Sequence, residues 1–156
     1  MSDRYLKEYK SKLRTADEAV KIVKSGDWVE YGEFVMQAKD CDAALARRVN
    51  ELTDVKVRSV CTTMIPEIVK VDPQREHFIF HDWHFSGISR ALQANDACNY
   101  ISLTYHEGPE LIRRHVDIDV AFFLVGPMDA NGYFNLGTSN SITSFVVEKG
   151  RSILLL

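Results

Sequence analysis

Small polar residues gather at Gly137 to Ser141, a stretch that precedes a predicted helix. Backbone N–H groups at the start of a helix have no partner within the helix, and small residues let them approach an anion or a carbonyl oxygen. The stretch is therefore a candidate site for binding a developing oxyanion. A plain strand-to-helix turn with a Ser or Asn cap explains the same residues, and both interpretations stay open.

Histidine and cysteine side chains offer two further kinds of chemistry. On a strand, His77 and His81 would share a face while His84 would point the other way. No carboxylate or thiol stands at the spacing of a third ligand, so we predict no metal site. Cys61 follows a predicted strand, but nothing near it in the sequence would activate a thiolate, which favours a structural thiol.

An aromatic stretch, Asp82 to Gly87, is rich in ring and turn residues. It can line a cleft or form a packed corner, and the residues alone do not separate these alternatives. The chain contains no G-x-S-x-G elbow, no P-loop and no G-x-G-x-x-G motif. The sequence therefore does not match the common signatures for a serine nucleophile or for phosphate binding.

Composition restricts the class of protein further. The 156 residues suit one domain, and 46% apolar with 26% charged residues is typical of a globular chain. A formal net charge of −3 argues against a nucleic-acid binder that depends on bulk positive charge. We find no apolar stretch that could span a bilayer and no signal-peptide core, so we expect no membrane partner. Three cysteines without metal-like spacing favour a cytoplasmic location.

Predicted strands and helices alternate along the chain. The hydrophobic patterns predict strands at 27–31, 55–61, 78–80, 99–104, 120–125 and 152–156, with a short return strand at 133–136. Predicted helices cover 5–13, begin after caps at Thr15, Asp40 and Ser86, and occur near 66–70, 109–112 and 142–149. This alternation predicts an α/β fold with three layers, α/β/α, around a mostly parallel sheet.

Ligands of such sheets bind at the carboxyl ends of the strands. Three loops are expected there: Gly32 to Ala38, Cys61 to Ile65, and Gly137 to Ser141. The final residues, Ile153 to Leu156, lie inside an apolar strand, whereas termini normally lie in exposed polar segments. We therefore expect residues 1–156 to be a single domain of a truncated chain.

Three long stretches, residues 30–59, 75–92 and 125–141, together resemble the acetyl-CoA hydrolase/CoA-transferase family, most closely its butyryl-CoA:acetate and 4-hydroxybutyrate CoA-transferases. The resemblance covers nearly the whole chain and is most specific at Pro127 to Tyr133 and at His81 to Gly87. Members of that family are much longer and have two similar α/β domains. The resemblance implies that this chain is most of the first domain and that a second domain is missing.

The family resemblance also implies a ping-pong reaction through a glutamate. Its carboxylate would attack an acyl-CoA and give a glutamyl-CoA thioester, from which an incoming carboxylate takes the CoA. That glutamate is expected beyond Leu156, so we predict no catalytic residue in this chain and no activity of the chain alone. Glu30, Glu33 and Glu67 do not occupy its motif. Coenzyme A would be a co-substrate, with no bound cofactor.

Substrate contacts are implied for two loops. A Gly-x-Pro element of the family corresponds here to Met36, Gln37 and Ala38, so both the Gly and the Pro are replaced and a Met side chain shields the backbone. We predict that Gln37 faces the turn at 137–140 across an acyl pocket. The predicted substrate-binding residues are Gly32, Met36, Gln37, Ala38, Gly137, Thr138, Ser139 and Asn140.

The first hypothesis is therefore the N-terminal domain of a cytoplasmic CoA-transferase that acts on an acyl-CoA and a short carboxylic acid of the acetate, butyrate or 4-hydroxybutyrate type. We also expect it to form a homo-oligomer and to bind no nucleic acid. Two alternatives stay open. One is an acyl-CoA hydrolase of the same family, and the other is a non-catalytic binding or interaction domain that derives from the fold.

Overall fold

A computed structural model describes residues 3–155 of the chain. Six strands form one parallel sheet in the order β4-β3-β2-β1-β5-β6. Their bounds are β1 Trp28–Tyr31, β2 Val55–Ser59, β3 Phe78–Asp82, β4 Asn99–Tyr100, β5 Val120–Phe123 and β6 Ser152–Leu155. The final residue, Leu156, belongs to the predicted last strand but lies outside the described residues.

Two helices precede β1, and the others connect successive strands. Their bounds are α1 Asp3–Lys12, α2 Ala16–Ala19, α3 Lys39–Ala46, α4 Glu67–Val71, α5 Gly87–Gln93, α6 Gly108–His115 and α7 Thr143–Lys149. Single 3₁₀ turns occur at Val20–Ile22, Phe34–Met36, Tyr105–Glu107 and Gly137–Ser139. Among the described residues no helix is both long and apolar enough to cross a membrane.

Strand β5 explains why the core has two halves. Its four residues are all buried, and successive side chains point to opposite faces of the sheet. Val120 and Phe122 pack in one cluster with α3 and α4, while Ala121 and Phe123 pack in the other with α6 and α7. Helices therefore cover both faces of a parallel sheet, and the predicted α/β class with three layers is confirmed.

Two predicted helix caps are confirmed and one is wrong. Thr15 and Glu18 form a reciprocal capping box at α2, and Ser86 caps α5 by accepting from two backbone N–H groups. The predicted cap at Asp40 fails because α3 already begins at Lys39, after Ala38, which makes no side-chain cap. Asp40 lies instead in the first helical turn, where its charge favours the helix dipole.

The segment after α2 also differs from the prediction. A 3₁₀ turn with about three residues per turn replaces a continued α-helix there. Val20 and Val23 are buried in this segment, and Ile22 is exposed.

The segment from Gly126 to Asn135 forms a long turn, and the predicted return strand at 133–136 is absent. Asp129 Oδ1 accepts hydrogen bonds from the backbone N–H groups of Asn131 and Tyr133, which closes the predicted turn. Gly132 has a φ of +88°, and a Cβ there would stand 2.9 Å from the Tyr5 ring of α1. Turn geometry and helix packing therefore both require glycine, and these local bonds replace strand pairing.

Candidate functional site

The order of the strands places a crevice between β1 and β5. These strands are neighbours, yet the chain leaves β1 toward α3 on one face and leaves β5 toward α7 on the other. A place where the connections from two neighbouring strands leave to opposite faces of the sheet is called a switch point. Open α/β sheets bind ligands there, at the carboxyl ends of the strands. Two predicted loops meet there: Gly32–Ala38 after β1 and Gly137–Ser141 after β5.

A tight turn after β1 brings these loops together. A Cβ at Gly32 would lie 2.2 Å from the Met36 carbonyl oxygen, so only glycine fits. The same Met36 oxygen accepts a 2.8 Å hydrogen bond from the Leu124 N–H, which ties the first loop to the end of β5. The 3₁₀ turns at Phe34–Met36 and Gly137–Ser139 also pack against each other.

Glu33 lies at the centre of the contacts between these loops. Its side chain is buried, and Oε1 accepts a 2.7 Å hydrogen bond from Thr143 Oγ1 at the start of α7. The backbone N–H of Ile142 donates to the same carboxylate, and Tyr105 OH donates to Oε2 at 3.4 Å. Tyr105 OH in turn hydrogen-bonds Ser141 Oγ. One carboxylate therefore holds the β1 loop against the segment that carries the small-residue turn.

The pKa of Glu33 is raised above its ordinary value. Burial is the largest cause, because it penalises the charged form, and the nearby Glu30 carboxylate adds to it. The hydrogen bonds from Thr143 and Ile142 act in the opposite direction and favour the ionised form. Glu33 therefore belongs to the supporting structure, and its oxygens are already engaged by protein donors.

The turn at Gly137 to Asn140 is the accessible part of the crevice. Gly137, Thr138 and Asn140 are exposed and Ser139 is half-buried. Gly137 has a φ of +70°, and its N–H donates to Asn135 Oδ1 at 2.7 Å, so the turn has a fixed shape. Short polar side chains and backbone groups are thus presented to solvent beside a buried, braced loop.

Gln37 lies in the same loop but its amide is occupied. Its Nε2 donates to Ser59 Oγ at 2.6 Å and to Thr62 Oγ1 at 3.0 Å, and its Oε1 accepts from the Thr63 N–H. Both amide hydrogens are therefore used by the last residue of β2 and by the loop that follows it. A direct role of Gln37 in substrate binding stays a prediction, but this geometry gives its side chain a role between two loops.

The other predicted residues of the β1 loop are also internal. Gly32 is buried, Met36 and Ala38 are each 3% exposed, and Met36 Sδ lies 4.0 Å from Thr143 Oγ1. The Met36 side chain packs in the cluster under α6 and α7, whereas Ala38 packs in the cluster on the opposite face. Their substrate-binding roles likewise stay predictions, and the exposed turn at 137–140 is the part that a ligand can touch directly.

A second buried carboxylate fixes the neighbouring loops. Asp82, at the end of β3, accepts from the backbone N–H groups of Cys61 and Thr62 at 2.7 and 3.0 Å, and from Ser89 Oγ. Cys61 has a φ of +55°, which is unusual for a residue with a side chain, and these bonds hold it there. Burial raises the pKa of the Cys61 thiol, so the predicted structural role fits better than a nucleophilic one.

The remaining titratable candidates contact residues outside the two loops of the crevice. Glu30 forms a buried ion pair with Arg58 at 2.8 Å, and Glu67 pairs with Lys70 near the surface. The ring of His81 lies 5.4 Å from that of Trp28, and His77 Nδ1 contacts the Leu52 carbonyl oxygen. Within residues 3–155 no three His, Cys, Asp or Glu side chains form a group that could hold a metal ion.

The sequence did not point to most of the residues that brace the crevice. Tyr105 and Thr143 come from segments that are distant from Glu33 in sequence, Ser141 was identified only as part of the small-residue stretch, and Glu33 was considered only as a nucleophile. One signal was available, because Glu33 is a charged residue only two positions after the end of a strand that is buried in a parallel sheet. A carboxylate at that place needs hydrogen-bond donors from elsewhere in the fold.

Comparisons with known proteins agree with the fold. Residues 1–155 match the model of the acetyl-CoA hydrolase/transferase N-terminal domain. The chain is 40% identical to the butyryl-CoA:acetate CoA-transferase of Anaerostipes caccae. The match covers 97% of this chain and 34% of that protein. It is 43% identical, over 99% of its length and 35% of that protein, to a probable butyrate:acetyl-CoA coenzyme A-transferase of Syntrophomonas wolfei.

Solved structures show the same architecture. The crystal structure of RipA from Yersinia pestis has a TM-score of 0.82 and 25% identity, with 99% of this chain and 38% of that chain covered. This chain therefore spans about a third of the length of the curated relatives that it matches.

Proposed function

The chain belongs to the acetyl-CoA hydrolase/transferase family, and on that premise we propose that it is the N-terminal part of a CoA-transferase. The complete protein would move CoA between an acyl-CoA and a short carboxylic acid such as acetate, butyrate or 4-hydroxybutyrate. The two butyrate-related CoA-transferases at 40% and 43% identity support this reaction and this size of acid. Coenzyme A is then a co-substrate, and no bound cofactor is required.

The nucleophile in this proposal is a glutamate in the remainder of the complete protein. Its carboxylate attacks the thioester carbonyl and CoA thiolate leaves, which gives an acyl-glutamyl anhydride. The thiolate then attacks the glutamyl carbonyl and releases the first acid, and the resulting glutamyl-CoA thioester reacts with the second acid by the same steps in reverse. Each attack places negative charge on a carbonyl oxygen, which fixed hydrogen-bond donors stabilise.

The exposed turn at Gly137 to Asn140 is the observation that carries this proposal. It lies at the switch point, and Glu33 ties the residues that follow it to the β1 loop. Donors that are already fixed lose little free energy in reorganisation when charge develops. We therefore assign the donor role to the backbone and side chains of Thr138, Ser139 and Asn140, supported from below by the Glu33 contacts.

The role that we propose for Gln37 is structural. Because both of its amide hydrogens donate to Ser59 and Thr62, we propose that the side chain supports the loop, while its predicted direct contact with substrate stays untested. Met36 and Ala38 fill the positions of the family Gly and Pro from inside the fold, and we propose that they influence the pocket through the shape of the β1 loop.

We further propose that the protein works in the cytoplasm as a homo-oligomer. Cys41, Cys61 and Cys98 are free thiols, which suits a reducing compartment. The C-terminal part of the family protein would be the partner that completes the crevice.

Substitutions in the complete protein test the site. Thr138→Ala and Asn140→Ala should each lower kcat about tenfold or more, which is the scale of losing one preorganised donor. Asn131→Ala is the matched control, because Asn131 is exposed in the preceding long turn and lies outside Gly137 to Asn140. Unchanged kcat in both variants would show that the side chains of Thr138 and Asn140 are not the donors, even if the family reaction occurs.

A further inference from the structure

Val35 is exposed in a loop whose other residues are turned inward. The structure describes all of residues 32–38, and within them Val35 is 60% exposed, Phe34 is half-buried and the others are buried. Phe34 and Met36, on either side of Val35, both pack in the cluster under α6 and α7. A single exposed valine is ordinary on a protein surface, so its meaning depends on what holds it and what lies beside it.

The backbone of Phe34 fixes the position of Val35. Phe34 has a φ of +48°, which is rare for a bulky side chain and persists only where the surrounding structure maintains it. Its N–H donates to the Val60 carbonyl oxygen at 3.0 Å, and its carbonyl oxygen accepts from Thr63 Oγ1 at 3.2 Å. Both partners belong to the segment that follows β2. A strained residue that is held in this way is typical of a functional site.

Val35 also lies beside the turn to which we assign the donor role. It is the middle residue of the 3₁₀ turn Phe34–Met36, which packs against the 3₁₀ turn Gly137–Ser139. The Met36 carbonyl oxygen accepts from the Leu124 N–H at the end of β5, and Leu124 is itself 48% exposed. Exposed apolar and exposed polar groups are therefore neighbours at the switch point.

This combination suits a ligand with an oxygen at one end and a short hydrocarbon chain at the other. Thr138 and Asn140 are exposed and carry hydrogen-bond donors, whereas the side chain of Val35 offers apolar contact alone. The free energy gained from apolar contact grows with the area that is removed from water. A longer hydrocarbon chain therefore gains more from Val35 than an acetyl group does.

We propose that Val35 is a specificity-determining residue, whose exposed methyl groups contact the hydrocarbon chain of the acyl group while the turn at Gly137 to Asn140 binds its oxygen. This inference rests on the proposed function, because the acyl group is the part of the substrate that the crevice would hold. Met36 and Ala38 are buried and shape the loop from inside, whereas Val35 touches the ligand itself. The contact favours a four-carbon acyl group over acetyl.

Paired kinetics of the complete protein test this role. Val35→Thr keeps the shape of the side chain but replaces one methyl group by a hydroxyl. With propionate as the common acceptor, kcat/KM for butyryl-CoA relative to that for acetyl-CoA should fall at least about fivefold. This is less than the roughly 10- to 200-fold selectivity that one methylene group gives in a closed apolar pocket, because Val35 is a single wall of an open crevice. Val35→Ala, which removes the contacting methyl groups, should change the ratio in the same direction.

Val71→Thr is the matched control, because it makes the same change at a residue that is 45% exposed at the end of α4. It should leave both constants unchanged. An unchanged ratio in Val35→Thr would overturn the proposal. An equal fall for both thioesters would also overturn it, since Val35 would then contact the CoA moiety or the rest of the complete protein. If the original protein transferred no CoA, the proposed function would fail and the role of Val35 with it, so the two failures are distinguishable.

Discussion

The carboxylate of Glu33 and the hydroxyl of Thr143, 110 residues apart in sequence, form a buried 2.7 Å hydrogen bond. This bond connects the loop after β1 with the first turn of α7. The bond therefore closes the inner side of the crevice at the switch point. The exposed turn at Gly137 to Asn140 lies on the outer side of the crevice.

Removing the hydroxyl of Thr143 should destabilise the chain. Thr143→Val keeps the shape but leaves Glu33 without one donor, which should lower the free energy of unfolding by about 1–3 kcal/mol. Thr143→Ser keeps the hydroxyl and should lose less. Chemical denaturation of the three proteins measures this difference. Equal stability of the Val variant and the original chain would show that the bond contributes nothing.

The stability contributed by Glu33 should fall as the pH rises. Burial raises the pKa of Glu33 above 4.5 in the folded chain, so the folded state holds its proton more tightly than the unfolded state. The contribution is therefore fully present below about 4.5, the ordinary value, and is lost as the pH rises through the folded pKa. Relative to the original chain, Glu33→Gln should become more favourable with increasing pH in denaturation series.

Glu18 provides a control of opposite sign for that series. Hydrogen bonds from Thr15 lower the pKa of Glu18, so its contribution is present above the ordinary value and is lost on acidification through the folded pKa. Glu18→Gln should therefore become less favourable as the pH rises. If both variants changed in the same direction, the pKa shift assigned to Glu33 would be wrong.

Substitutions of Gln37 and Asn140 should differ in their effect on the free energy of unfolding. Gln37→Ala removes buried hydrogen bonds to Ser59 and Thr62, so the free energy of unfolding should fall by about 1–3 kcal/mol. Asn140 is exposed, and Asn140→Ala should change stability by less than about 0.5 kcal/mol. Thermal or chemical unfolding measures both. A stable Gln37→Ala variant would contradict the supporting role of the amide.

The chain should self-associate through its β6 side. Strand β6 is at one edge of the sheet, and an apolar groove of about 710 Å³ runs between it and α1, lined by residues that include Tyr9, Leu13, Phe134 and Leu154. Exposed edges and apolar patches favour association. Sedimentation at several concentrations should detect oligomers, and Leu155→Lys should reduce them. Val71→Lys, at an exposed residue of α4, should not. A monomer at every concentration would refute this prediction.

The regular parts of the fold were predictable because they depend on local patterns. The hydrophobic pattern at 120–125 predicted β5, and the Thr15 and Ser86 caps were readable from residue types. The prediction failed where local hydrogen bonds replace regular structure, as at the missing return strand and the 3₁₀ turn that buries Val20.

The candidate site was predictable only in part. Its location followed from the alternation of strands and helices, because loops at the carboxyl ends of parallel strands converge. The contacts of Glu33 with Tyr105 and Thr143 could not be read from the sequence, since they join the loop after β1 to one segment before β5 and another after it. The engagement of Gln37 with the loop after β2 has the same long-range origin.

Acetate-dependent consumption of butyryl-CoA is the most direct test of the central claim, measured side by side for this chain and for the complete family protein that contains it. The account predicts turnover above about 1 s⁻¹, an ordinary enzyme rate, for the complete protein. This chain alone should show none, because the nucleophilic glutamate is expected beyond Leu156. Turnover at that rate by residues 1–156 alone, or consumption by the complete protein that is equally fast without acetate, would contradict the account.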